Sequence, residues 1–213
     1  YFKGAHDFSH LCLPTLGALN DRISGFEYEI QIVTLAPELP GAIDVIRRLK
    51  ELGIIVSLGH SSADDEMCRI AFDEGVNMIT HSFNAMPGLH HRNPGPLGEA
   101  LYRGGIPLGI ISDGVHVHSK ILFLLHKLAS DQIFLVSDAL SAYGLKMNEF
   151  EWEKRILFIE KGACRFQDGT LAGTIISLLD GCKKLTEFTG NPSAAIWAAT
   201  VAPRLILDKE RAL

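Results

Sequence analysis

The chain has 213 residues, 47% of them hydrophobic and 21% charged, with 20 Lys+Arg against 25 Asp+Glu. That apolar content excludes a disordered chain and is enough for one large domain or two small ones. A net charge of −5 argues against nucleic acid as the main partner, which requires a broad basic surface.

No apolar run approaches the roughly 20 residues of a membrane span, so no membrane partner is expected, nor a signal peptide. Cys12, Cys68, Cys164 and Cys182 form no CxxC and no regular spacing. They read as buried free thiols of a reducing compartment, which makes the cytoplasm the expected location.

From residue 31 short apolar runs alternate with amphipathic stretches. Gln31–Leu35 reads as a strand, followed by the turn signal Ala36-Pro37-Glu38. Ala42–Leu52 places Ile43, Val45, Ile46 and Leu49 at helical spacing, with Gly53 as a stop. Ile54–Leu58 reads as a strand and Ala63–Glu74 as a helix ended by Gly75. Met78–Phe83, Leu108–Ser112 and Ile133–Ser137 are three further strands, separated by helices near Leu97–Arg103 and Lys120–Ser130. The strands are near-continuous apolar runs, as for strands buried on both faces of a parallel sheet, so the fold class is α/β.

After Tyr143 the rhythm changes. Glu153–Ile159, Cys164–Gln167 and Leu171–Ala172 are broken by Lys161-Gly162 and Asp168-Gly169 and predict a small antiparallel excursion. Helices resume at Leu178–Phe188 and Ser193–Ala199, the latter started by Asn191-Pro192-Ser193.

Polar residues gather where strands end. The second strand ends in Gly59-His60-Ser61 and the third carries Thr80-His81 on to Asn84. The fourth runs into Asp113-Gly114-Val115-His116 and the fifth into Ser137-Asp138-Ala139. In parallel α/β folds this edge collects ligands and catalytic residues. One strand-end histidine is most often structural; four successive strand ends carrying His or Asp make a site the better reading.

His60 and His81, as neutral imidazoles, suit a borderline cation such as zinc, but two histidines do not complete a tetrahedral site. Asp138 suits a carboxylate that takes a proton from an activated water and later returns it, although a helix N-cap or a buried hydrogen-bond acceptor would also explain it. His116 is kept as a site residue. His118 is read as solvent-facing, with Ser119 capping the next helix. The segment Asn84–Gly95 is too rich in Gly and Pro for a helix and brings His90, His91 and Arg92 together. This cationic loop in an acidic chain suits a phosphate or carboxylate, against the plainer reading of an exposed loop.

Five motifs then appear in order: KGAH (Lys3–His6), SLGHS (Ser57–Ser61), THSFNAM (Thr80–Met86), SDGVH (Ser112–His116) and VSDA (Val136–Ala139). TLAPE (Thr34–Glu38) and GTLAG (Gly169–Gly173) join them. Together they resemble the N-acetylglucosamine-6-phosphate deacetylase family of metal-dependent amidohydrolases, over essentially the whole chain.

The resemblance implies a (β/α)8 TIM-type barrel and hydrolysis of the N-acetyl group of a phosphosugar, N-acetylglucosamine-6-phosphate. It implies His60 and His81 as ligands of a divalent metal, expected to be zinc, and Asp138 as general base and acid. By the same resemblance Ala5, His6, Asn84, Ala85, Arg92, His116, Leu171, Ala172 and Gly173 contact substrate, with Arg92 at the phosphate. A homo-oligomer, dimer or higher, is also implied.

The sequence departs from the family in one respect. Relatives carry an acidic metal ligand in a His-Leu-Glu-Gly-Pro type motif shortly before KGAH, and that motif is not among these residues. The five strands counted here also fall short of the eight of a closed barrel. The expectation is therefore that residues 1–213 are part of a catalytic barrel domain, about five βα units plus the antiparallel excursion. The family's upstream strands and β-sandwich would lie outside them. Two rival readings follow: a catalytically incomplete sugar-phosphate-binding piece, and a related amidohydrolase acting on another amide. An open flavodoxin-type sheet is disfavoured, because no Gly-rich phosphate loop follows the first strand.

Overall fold

In the computed structural model, which describes residues 2–208, the first strand β1 (Ile32–Leu35) is followed by helix α2 (Ala42–Glu51) and strand β2 (Ile55–Leu58). Helix α3 (Asp65–Glu74), strand β3 (Val76–Ile79), helix α4 (Gly95–Arg103) and strand β4 (Leu108–Ile110) continue the alternation. Helix α5 (Ser119–Ala129) and strand β5 (Ile133–Leu135) complete it. Adjacent strands follow chain order, β1-β2-β3-β4-β5, in one sheet. The pairs β1–β2, β2–β3 and β3–β4 are parallel. This is the α/β arrangement of part of a (β/α)8 barrel. Ahead of β1 lie a 3-10 turn at Phe8–His10 and helix α1 (Leu16–Ile23), in which Leu16, Leu19 and Ile23 recur at i, i+3 and i+7 behind the Thr15 cap.

The chain divides into two compact units. One runs up to Gly109 and takes in residues from Arg204; the other is Ile110–Pro203.

In the first unit, α2 forms because Ala42, Val45, Ile46 and Leu49 recur at i, i+3, i+4 and i+7, and all four are buried. Full burial of a Val, Ile or Leu side chain is worth about 1.5–3 kcal/mol, so this stripe anchors the helix to the sheet. Helix α3 begins two residues later than the apolar pattern suggests, because the Asp64 side chain accepts from Met67 N and sets the cap. All four β2 residues are buried, whereas Ile32 of β1 is 40% exposed. Strand β1 ends the sheet order, so one of its edges pairs with no described strand.

Strand β3 corrects the expected Met78–Phe83 run: it starts earlier and stops at Ile79. The Asn77 side chain accepts from Val56 N at 2.9 Å where the β2–β3 register shifts. Beyond Ile79 the backbone leaves the extended region, with positive φ at His81 and Phe83.

In the second unit, Ile110 accepts from Val136 N just past β5. The cap of α5 is His118, whose Nδ1 accepts from Lys120 N at 3.2 Å, and not Ser119. The antiparallel sheet has four strands, β6 (Glu149–Trp152), β7 (Arg155–Glu160), β8 (Ala163–Arg165) and β9 (Leu171–Thr174). The expected strand Glu153–Ile159 is corrected at its start: Glu153 and Lys154, both at positive φ, form the turn between β6 and β7. Helices α6 (Leu178–Thr189) and α7 (Pro192–Leu207) follow. Asn191 Oδ1 caps the start of α7 by accepting from Ala194 N at 3.0 Å. Cys68, Cys164 and Cys182 are buried free thiols, but Cys12 is exposed, which corrects the expectation for that residue. No described helix is long and apolar enough to cross a membrane.

Candidate active site

Where β1, β2 and β3 end, hydroxyls lock the three strands together. Thr80 Oγ1 lies 2.5 Å from Ser57 Oγ and 3.1 Å from Thr34 Oγ1. Gly59 follows because there is no room for a side chain: a Cβ there would stand 2.7 Å from Thr80 Cβ and 2.9 Å from Thr34 Cγ2. One residue later the chain turns to φ 51° at His60, and φ is 25° at His81 and 50° at Ala85. Non-glycine residues rarely hold such angles, and where they cluster the surrounding fold must over-determine them. Here Glu38, just past β1, does so. Its carboxylate accepts from Ser61 Oγ at 2.7 Å, Ser62 N at 2.6 Å and Ser62 Oγ at 3.0 Å. Ser61 N also donates to Ala85 O at 3.1 Å, tying the His60 loop to the loop after His81.

These turns aim the two imidazoles at each other. His60 Nε2 and His81 Nε2 lie 3.1 Å apart, and the ring of His6 sits 4.8 Å from that of His60, centroid to centroid. His60 Nδ1 donates to the Phe2 carbonyl at 3.0 Å, so the neutral ring keeps its lone pair on Nε2, facing His81. Burial, then the neighbouring His81 and His6, push the His60 imidazole down to about 4, which holds it neutral near pH 7. Nitrogen ligands about 2.0–2.1 Å from a tetrahedral zinc ion stand roughly 3.3 Å apart, so this pair fits two corners of such a site. No group of three or more His, Cys, Asp or Glu that could hold a metal occurs among the described residues.

A cavity of about 900 Å³ opens beside this cluster, lined by Lys3, His6, Leu11, Thr15, Glu38 and His60 among others. Ala5 lies half-buried in the KGAH turn. Asn84 uses its amide to donate to the carbonyls of His81 and Ser82, both at 3.2 Å, and so shapes the turn. Arg92 is exposed in the loop before α4, its Nη1 2.7 Å from His91 Nε2, with the His90 and His91 rings 4.3 Å apart.

The second unit carries the remaining candidates. His116 is held by Asp113: Nδ1 lies 2.7 Å from Oδ2, and the two side chains are only 4% and 1% exposed. Asp138 is exposed, at φ 49°. Strand β9 grips its backbone. Thr174 N donates to Asp138 O at 2.9 Å, Leu140 N to Thr174 O at 2.9 Å, and Thr174 Oγ1 to Ser137 O at 2.8 Å. Leu171, Ala172 and Gly173 lie on β9, so Gly173 and Asp138, distant in sequence, are neighbours. Sequence reasoning gave no role in the site to Glu38, Asp113, Thr80 or Thr174. For Asp113 a signal existed, an acidic residue three positions before a retained histidine.

Parallel strands that bring two imidazoles face to face at their ends make this an α/β protein with a candidate metal-ligand pair, and the proteins it is similar to are sugar-phosphate deacetylases. The chain is 34% identical over 212 residues to N-acetylgalactosamine-6-phosphate deacetylase of Escherichia coli O157:H7, covering 99% of this chain and 56% of that protein. It is 38% identical over 163 residues to N-acetylglucosamine-6-phosphate deacetylase of Bacillus subtilis (strain 168), covering 75% of this chain and 41% of that one. A solved structure of a mutant N-acetyl-D-glucosamine-6-phosphate deacetylase from Mycobacterium smegmatis, in complex with N-acetyl-D-glucosamine-6-phosphate, superposes with a TM-score of 0.91. It is 26% identical and covers 97% of this chain and 56% of that one. No protein-family model matches. The chain is thus homologous to the N-acetylglucosamine-6-phosphate deacetylases, and it spans about half the length of the curated relatives it matches.

Proposed function

We propose that the protein hydrolyses the N-acetyl group of N-acetylglucosamine-6-phosphate, giving glucosamine-6-phosphate and acetate. The observation that carries this is the 3.1 Å approach of His60 Nε2 to His81 Nε2 at two neighbouring strand ends. A hydrolytic metal site needs such neutral nitrogen ligands, and homology supports a divalent metal and a phosphosugar substrate. His60 and His81 hold the cation, zinc in this proposal. When bound, it supplies positive charge that acidifies an attacking water and polarises the amide carbonyl.

The chain's own residues do the rest. Asp138 accepts a proton as water attacks the carbonyl carbon, then donates one to the sugar nitrogen as the C–N bond breaks. Its exposure and its backbone, held by β9, suit a carboxylate that must reach a substrate. His116 contacts the sugar or its acetamido oxygen. Arg92 takes the phosphate, and that remote interaction helps position the acetamido group. Ala5, His6, Asn84, Ala85, Leu171, Ala172 and Gly173 line the sugar. We place residues 1–213 within the catalytic barrel domain of a cytoplasmic homo-oligomer, on the family resemblance.

The test is incubation of the full-length protein with zinc and N-acetylglucosamine-6-phosphate, following acetate and free amine. Release of both supports the proposal; a folded protein that releases neither overturns it. N-acetylgalactosamine-6-phosphate in parallel decides between the two sugars named for the relatives.

A second reading rests on the missing third ligand among the described residues: a sugar-phosphate-binding piece without turnover. It predicts calorimetric binding of the phosphosugar by this chain and no acetate.

A further inference from the structure

Asp113 has no role in the function proposed above, yet its surroundings are built with care. Its side chain is 1% exposed, three residues past the end of β4. Oδ1 accepts from Val115 N at 2.9 Å and from His116 N at 2.8 Å, and Oδ2 faces His116 Nδ1 at 2.7 Å. Burial works against the charge on this carboxyl, but the hydrogen bonds from the His116 side chain and backbone and from Val115 outweigh it. They hold the carboxyl below the usual range. It is therefore an ionised acceptor, and an ionised carboxylate can only accept. The ring nitrogen opposite it must carry the proton.

We propose that Asp113 is a positioning residue: it commits His116 Nδ1–H to its own Oδ2 and leaves Nε2 as the one ring nitrogen open to substrate. This rests on the reading above for the claim that His116 meets substrate; the tautomer itself does not depend on it. A chemical consequence follows. With Nδ1 carrying the proton, the neutral ring presents a lone pair at Nε2, so of the two contacts named for His116 above it makes the one to the sugar, through a hydroxyl or amide N–H, and not the one to the acetamido oxygen. Gly114, at φ +76°, lies in the turn between the two residues, a backbone conformation that favours glycine.

The experiment is a long-range 1H–15N spectrum of 15N-histidine-labelled protein at a pH where His116 is neutral, with the His116 signals assigned by their loss in His116→Gln. The expected wild-type pattern is a proton-bearing Nδ1 and a bare Nε2. In Asp113→Asn the backbone N–H groups of Val115 and His116 retain the amide oxygen, which turns the amide N–H₂ toward the ring. The ring must then accept at Nδ1, and the Nδ1–H population falls at least about tenfold in favour of Nε2–H. A wild-type ring protonated on Nε2, or a folded Asp113→Asn protein whose tautomer is unchanged, overturns the proposal. Should Asp113→Asn fail to fold, the wild-type spectrum decides alone. A residue that merely stabilised the turn would alter unfolding without changing the tautomer. The readout needs no substrate, so a protein without deacetylase activity would refute the functional reading and leave this test intact.

Discussion

A Cβ built on Gly173 would stand 2.7 Å from the carbonyl oxygen of Asp138, and Gly173 itself is at φ +149°. The residue proposed to move the proton is thus braced from behind by a strand residue with no side chain. Gly173→Ala must displace either β9 or the Asp138 turn. The expected result is a loss of about 1–3 kcal/mol in urea unfolding together with reduced kcat in the full-length protein.

Thr174 makes the same connection through its hydroxyl, fully buried and bonded to Ser137 O at 2.8 Å. Thr174→Val leaves that carbonyl without its partner and should destabilise by about 1–3 kcal/mol, whereas Thr174→Ser should recover most of it. Parallel denaturant titrations of the two variants check this.

Glu38 gathers three donors from Ser61 and Ser62, and Ser61 Oγ in turn accepts from Ala63 N at 3.0 Å. Glu38→Ala removes the acceptor that holds the His60 turn. We expect a loss of about 1–3 kcal/mol. Zinc affinity, read by competition with a chromophoric chelator, should fall with it. His60→Ala or His81→Ala should lower that affinity by at least the roughly 10–100-fold that loss of an outer partner costs.

Arg92 is exposed, so Arg92→Ala should leave stability within about 0.5 kcal/mol. If it holds the phosphate, KM should rise roughly 10–100-fold, as loss of a charged hydrogen bond of about 1.5–3 kcal/mol implies. An unchanged KM in steady-state assays would remove Arg92 from the site.

The sign of the acid dependence follows from Asp113. Its carboxyl is held below the unfolded value, so its contribution is fully present above about pH 4, the range of an ordinary Asp. That contribution is lost as pH falls through the lower, folded value. Glu66 and Glu74, lowered by side-chain hydrogen bonds from Arg69 and Arg47, titrate in the same limb. Comparing wild type with Asp113→Asn isolates the buried group, and the variant's stability should fall less steeply below about pH 4.

Much of this molecule is legible in one dimension. Buried parallel strands need unbroken apolar runs and their helices need apolar residues at three- and four-residue spacing, so the β1 to β5 alternation can be read from the chain. The same order puts His60, His81, His116 and Asp138 at strand ends, and the motif series identifies the family. Short elements were less legible. The turn at Glu153-Lys154 carries no Gly or Pro, and α1 is a helix of 8 residues ahead of the strand–helix alternation, so neither follows from that rhythm.

What only the tertiary structure decided is which nitrogen or oxygen meets which partner. Nothing in the spacing of His60 and His81 requires their Nε2 atoms to converge; that depends on left-handed turns held by Glu38 and on the crowding around Gly59. Nothing in the sequence couples Gly173 to Asp138, because their contact spans 35 residues and is made by a strand folding back. Local pattern determines periodicity and burial, which depend on near neighbours. The aim of a ring or a carboxylate depends on hydrogen bonds between segments far apart in the chain, and those exist only once the chain has folded.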